Sequence, residues 1–129
     1  MDLNQITLGV TDFGEAVAFY RSIGLKLIVS SRGEYARFEC SEGGSTLSLH
    51  LTDELAQNGP VVYFECEDID ARYAELKERG VVFDGPPRDE SWRWRETRFA
   101  DPSGNRLCLY HAGSDRRYPP WRIADEAED

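Results

Sequence analysis

"QITLGVTDFGEAVAFYRSIGL", residues 5–25, and "VVYFECEDIDARYAELKERGV", residues 61–81, carry one pattern written twice. In the first, Gln5 to Val10 alternates with period two, which puts Leu8 and Val10 on one strand face and Gln5 and Thr7 on the other. Asp12 and Glu15 then have the form of a capping box, and Phe13, Ala16, Val17, Tyr20 and Ile23 fall on one helical face. Gly24 can take the left-handed conformation that stops a helix. A shift of 56 residues brings Ile6, Leu8, Val10, Asp12, Phe13 and Val17 onto Val62, Phe64, Cys66, Asp68, Ile69 and Tyr73. The same shift brings Gly24 onto Gly80. Three strands are expected after each helix, near 25–32, 34–41 and 45–51, then near 81–85, 91–100 and 105–111. The chain therefore reads as βαβββ twice, joined at Gln57-Asn58-Gly59-Pro60.

The last hairpin, "RFADPSGNRLCLYH" at 98–111, has explicit turn chemistry. Pro102 presets φ, Gly104 tolerates positive φ, and Asp101 can bond the backbone of its own turn. Its counterpart is "RFECSEGGSTLSLH" at 37–50, where Gly43 and Gly44 do the turning.

Composition narrows the class of protein. A chain of 129 residues suits one domain that buries most of its unfolded surface. A core of residues 1–111 is expected, module one over 1–56 and module two over 57–111, followed by an extension over 112–129. No apolar run is long enough for a membrane span, and Met1-Asp2-Leu3-Asn4 lacks the start of a signal peptide. Cys40, Cys66 and Cys108 form no CxxC pair, so reduced thiols in a cytoplasm are the default. The net charge of −9 argues against nucleic acid as a partner, while cationic small molecules remain compatible with it. Four of the acids lie in the last six residues, ADEAED, which read as a solvated end.

The two quoted stretches, together with "RFADPSGNRLCLY", resemble the vicinal oxygen chelate superfamily of glyoxalase, bleomycin-resistance and dioxygenase proteins. The resemblance covers about residues 3–111, with the aromatic pair Phe19-Tyr20 and the DPSGN turn among its more specific features. It implies an α+β fold of two βαβββ modules forming a curled eight-stranded mixed sheet with a cup, usually in a homodimer. Its members include metal-dependent lyases, isomerases and dioxygenases, and metal-free proteins that sequester drugs.

If the large apolar alternates of each strand face the helices, the other alternates face the cup. Those are Gln5, Thr7, Ser48 and His50, then Val61, Tyr63, Glu65, Arg106, Cys108 and Tyr110. Tyr35, Arg37, Trp94, Glu96 and Arg98 join them by the same alternation. The superfamily's metal enzymes carry His, Gln or Glu on the first and last strand of each module. The matching positions here are Gln5, Ser48, Val61 and Cys108. Valine cannot ligate, serine is a poor ligand and an amide oxygen is weak, so no metal and no other cofactor is expected.

Each polar candidate also has a plain structural account. Cys108 as nucleophile would need a nearby base; as a small soft residue it simply fills a wall. His50 is a ligand, a pH-sensitive ligand contact or a wall residue, and His111 faces away or caps the final strand. Glu65 and Glu96 form an acid–base pair if close, and otherwise pair with arginines such as Arg37 and Arg98. In "SWRWRE", residues 91–96, Trp94 is expected in the cup and Trp92 away from it. Tyr118 and Trp121 are expected to pack on the domain or on a partner subunit. The reading is metal-independent binding of a small aromatic or cationic, antibiotic-like molecule, with a glyoxalase- or dioxygenase-like enzyme as the alternative. The ligand contacts are then Tyr35, Arg37, His50, Tyr63, Glu65, Trp94, Glu96, Arg98, Cys108 and Tyr110.

Overall fold

The computed structural model of the chain describes residues 1–55 and 58–124. Gln57 of the expected joint and the acidic residues 125–129 lie outside them. Module one runs β1 (Gln5–Val10), α1 (Phe13–Ser22), β2 (Lys26–Ser31), β3 (Tyr35–Glu39) and β4 (Thr46–Leu51). Module two runs β5 (Val61–Glu65), α2 (Ile69–Glu78), β6 (Arg88–Asp89), β7 (Arg95–Ala100) and β8 (Arg106–His111). A short 3₁₀ turn, Gly113–Arg116, follows.

The two helices form for the same local reasons. Oδ1 of Asp12 accepts from the N–H of Glu15 at 3.0 Å, and Oδ1 of Asp68 accepts from the N–H of Ala71 at 3.0 Å. Each cap satisfies one of the orphan donors of a first turn. Gly24 (φ 108°) and Gly80 (φ 97°) then break the two helices in a conformation that costs a Cβ-bearing residue steric strain.

Each module makes a four-stranded sheet, in the orders β1-β4-β3-β2 and β5-β8-β7-β6. The first and last strand of each module run parallel, and the other pairs are antiparallel. The eight expected strands are thus divided between two sheets, and among the described residues no strand of one pairs with a strand of the other. Their apolar faces meet in a single core. It includes Leu8, Val10, Phe38, Leu47 and Leu49 from module one with Val62, Phe99, Leu107 and Leu109 from module two, closed by Tyr20, Ile69 and Leu76 of the helices.

A polar latch crosses this core. The hydroxyl of Tyr20, which is fully buried, donates to Oδ2 of Asp101 at 2.7 Å. Oδ1 of Asp101 accepts from the backbone N–H groups of Ser103 and Asn105, both at 2.9 Å. The Asn105 amide donates to Oδ2 of Asp101 at 2.8 Å and to the carbonyl of Gly9 at 2.9 Å. The DPSGN turn therefore does more than reverse the chain. It fastens module two to the end of β1 and to α1 of module one.

Two expected strands are corrected. Over 81–85 only Phe83 makes a bridge, to Phe99, and Val82 is exposed; Pro86 and Pro87 follow and cannot donate to a ladder, so pairing resumes only at β6. The strand expected over 91–100 begins at Arg95. Residues 91–94 form a turn in which Arg93 takes φ 68° and the N–H of Glu90 donates to the carbonyl of Trp94 at 2.8 Å. Tyr118 and Trp121 are also not packed on the domain. They are 58% and 57% exposed, with the guanidinium of Arg122 lying 4.4 Å from the Tyr118 ring centre.

Candidate functional site

Strand pleating puts the apolar alternates into the shared core, so the alternate residues lie on the opposite faces of the two sheets. Those faces turn away from the core. The ten candidate contacts consequently divide into two groups, three on module one and seven on module two, and among the described residues no hydrogen bond, ion pair or ring contact joins the groups.

On module one, Ser48 is fully buried and stands at the centre of a polar cluster. Gln5 Nε2 donates to Ser48 Oγ at 2.8 Å. The hydroxyls of Tyr35 and Ser48 are 2.8 Å apart. Arg37 donates to the Tyr35 hydroxyl from Nε at 3.1 Å and from Nη2 at 2.8 Å. His50 is exposed and stands across from Tyr35 in the β3–β4 register.

On module two, the rings of Trp94 and Tyr110 stack with centres 4.5 Å apart and planes at 21°. Tyr63 meets both edge-on, at 5.9 Å from Trp94 and 5.8 Å from Tyr110. Such geometry suits the ring quadrupoles. Beneath them Glu96, which is 6% exposed, is surrounded by donors. Its Oε2 accepts from Arg98 Nε at 3.0 Å and pairs with Arg98 Nη2 at 2.9 Å, while its Oε1 accepts from Trp92 Nε1 at 2.9 Å. A cavity of about 500 Å³ runs alongside, bounded by Pro86, Trp92, Glu96 and Arg98.

Trp92, expected away from the cup, belongs to this face. Period two itself puts residues 92, 94 and 96 on one side, and although Arg93 takes a positive φ in the turn, Trp92 Nε1 reaches Glu96.

The two glutamates do not form an acid–base pair. Glu65 Oε2 accepts from the N–H groups of Ala112 and Gly113, each at 2.8 Å, and Arg116 stands 3.9 Å from Oε1. Glu65 thus anchors the start of the C-terminal extension with Arg116 at a looser distance, and Glu96 is the carboxylate paired closely with an arginine, Arg98. Arg37 pairs with a phenol instead of a carboxylate. His111 bonds the carbonyl of Cys66 through Nδ1 at 2.8 Å.

Cys108 is fully buried, and its thiol donates to Glu96 Oε2 at 3.5 Å. Burial, reinforced by the Glu96 carboxylate, pushes this thiol up to about 12. Burial likewise pushes Cys66 up to about 11. A protonated buried thiol is no nucleophile. The sign of the linkage is definite, because these groups ionise more readily unfolded than folded. Their contribution to stability is intact below about pH 9, the ordinary thiol value, and declines as pH rises toward the folded values. Denaturant titrations should show stability falling above about pH 9, and Cys108→Ser should flatten that decline. An unchanged profile in the variant would contradict this placement of the thiol.

The positions corresponding to the superfamily's metal ligands do not suit an ion. Gln5 spends its amide on Ser48 and accepts from Thr46, Val61 offers no donor atom, and the Cys108 proton is committed to Glu96. Among the described residues no group of three or more His, Cys, Asp or Glu side chains is arranged to hold a metal. None of the described helices is long and apolar enough to cross a membrane.

Comparisons with known proteins converge on one fold. A family model described as the Glyoxalase/Bleomycin resistance protein/Dioxygenase superfamily matches residues 2–109. The chain is 33% identical over 125 residues to the uncharacterized protein YraH of Bacillus subtilis, covering 85% of this chain and 98% of that one. It is 27% identical over 122 residues to the metallothiol transferase FosB of Shouchella clausii, covering 87% and 80%. Its fold matches the crystal structure of a bleomycin resistance determinant encoded on transposon Tn5 with a TM-score of 0.74, at 17% identity, covering 88% and 99%.

Proposed function

The chain belongs to the Glyoxalase/Bleomycin resistance protein/Dioxygenase superfamily, and on that premise we propose that it binds a small planar organic molecule without a metal. The observation that carries this reading is the open aromatic face of module two, where Trp94 stacks on Tyr110 and Tyr63 stands edge-on beside the Glu96–Arg98 pair. Apolar walls with a few fixed polar groups are what ligand pockets are made of. The acids of this face are already neutralised, Glu96 by Arg98 and Glu65 by backbone donors and Arg116. Its walls therefore favour a flat aromatic ring over a cation.

The site is shared between two copies in this reading. The polar face of module one and the aromatic face of module two are both turned away from the core, and β1 and β5 are sheet edges with open hydrogen-bonding groups. A homodimer that lays one copy's module-one face against the other's module-two face closes a cup from both sets. The enzyme reading draws support from the likeness to a metallothiol transferase, but the residues at the ligand positions weigh against it.

One set of measurements tests the proposal. A screen of planar compounds, antibiotics included, should yield a ligand that quenches tryptophan fluorescence. Trp94→Ala should weaken it five- to thirtyfold, or about 1–2 kcal/mol. Sedimentation should give about twice the 14.7 kDa chain mass, and elemental analysis should find well under one metal per chain. Stoichiometric metal that is lost with Gln5→Ala, or a ligand indifferent to Trp94→Ala, would overturn the reading.

A further inference from the structure

The hydroxyl cluster of module one has an unbalanced count of donors. Ser48 Oγ accepts from Gln5 Nε2 at 2.8 Å, and the single Nε–H of Arg37 is shared between Ser48 Oγ at 3.4 Å and the Tyr35 hydroxyl at 3.1 Å. Ser48 and Tyr35 share one further bond of 2.8 Å, to which either hydroxyl can give the proton. With Arg37 Nη2 and the Ser48 proton on its two lone pairs, the Tyr35 oxygen keeps an O–H that can turn to a ligand on the open face. Arg37 Nη1 also has no partner among the described residues, and Arg37 is exposed. Two donors, one of them cationic, thus stand side by side on an open sheet face.

The surroundings carry no competing anion. From β4, His50 stands directly across from Tyr35, and from β2 the residue across is Ser31. Glu39, next along the same face of β3, is paired with Lys26 at 3.8 Å. The exposed Arg32 and Glu34 lie in the turn at the hairpin end.

We propose that Tyr35 and Arg37 form a subsite for an oxyanion, a carboxylate or a phosphate, carried by the ligand's planar ring. The subsite rests on the reading above, in which a second copy lays its Trp94–Tyr110 face over this one. A guanidinium edge with a hydroxyl beside it matches the lone pairs of an oxyanion, and charge-assisted bonds of this kind are the strong ones. The hydrogen bond from Ser48, then the bonds and charge of Arg37, hold the Tyr35 phenol below its ordinary range, partly opposed by burial. An acidified phenol is a better donor to an anion.

Calorimetry with naphthoate, naphthyl phosphate and naphthylmethanol tests the subsite. These share a ring and differ in the group it carries. One or both acids should bind at least about tenfold more tightly than the alcohol, and whichever acid is favoured identifies the oxyanion. Arg37→Gln and Tyr35→Phe should each erase most of that advantage and leave the alcohol unchanged, while Trp94→Ala should weaken all three. Equal affinity for acids and alcohol overturns the subsite but leaves the ring-binding reading intact. If none of the three binds, ring binding falls and a ligand-free titration decides the subsite. One of the six tyrosines should then ionise ahead of the others by phenolate absorbance, vanish in Tyr35→Phe, and move upward in inorganic phosphate. A titration with no early phenol, or one that phosphate leaves in place, overturns it.

Discussion

Replacing Asp101 by alanine should cost about 4 kcal/mol of unfolding free energy, a large part of the roughly 5–15 kcal/mol expected for such a domain. The carboxylate accepts from four donors: the Tyr20 hydroxyl, two backbone N–H groups and the Asn105 amide. Hydrogen bonds to a charged acceptor contribute about 1.5–3 kcal/mol each, and a buried donor left without a partner costs about 1–3 kcal/mol. The turn donors are partly exposed and regain water, but the Tyr20 hydroxyl is fully buried and does not. Tyr20→Phe is the informative partner. It leaves Asp101 with its other three donors and should cost only about 1–2 kcal/mol. Urea titrations of both variants would check the pair, and losses of similar size would mean that the Tyr20 hydroxyl carries nearly all of the latch and the turn donors little of it.

Glu96→Ala should be the second large loss, about 2–3 kcal/mol. The substitution strands three donors at once, on Trp92, Arg98 and Cys108. Breaking a fully buried ion pair costs about 3–5 kcal/mol, and this one costs less because Arg98 is 42% exposed and can turn to water. Trp92 loses the acceptor that holds its ring, so its emission should shift to the red in the same variant. A thermal midpoint within about 1–2 °C of the parent, with emission unchanged, would show that Glu96 does not organise this face.

The fold was legible because its signals are local and repeated. Asp12 and Asp68 cap their helices as their spacing implies, and Gly24 and Gly80 stop them. Alternation also placed Ser48, Tyr63, Cys108 and Tyr110 on the faces opposite the core, because nothing interrupts the pleat of β4, β5 and β8. The same period also puts Trp92 with Trp94 and Glu96, where its indole N–H bonds the carboxylate, so the expectation that set Trp92 apart misapplied the alternation. The partners of Glu65 were out of reach for another reason. Alternation says which way a side chain points, not that the backbone of Ala112 and Gly113 will fold back to meet it. The division of the candidates into two groups is a property of how the sheets pack, and strand periodicity holds no information about that.

The shared core has a consequence for how this chain folds as it is made. A nascent chain that has emerged to Leu55 holds β1 to β4 and α1, which pack on one another, yet lacks the module-two half of the shared core. Leu8, Phe38 and Leu49 must wait for Phe99, Leu107 and Leu109, which are synthesised near the other end. The Tyr20 hydroxyl waits for Asp101 in the same way. At the roughly 5–20 residues per second of translation, that interval lasts several seconds. During it the first module exposes an apolar sheet face and an open strand edge. The shared core therefore closes only when module two is made, and a message that stalls in the second half leaves module one with part of its apolar surface uncovered.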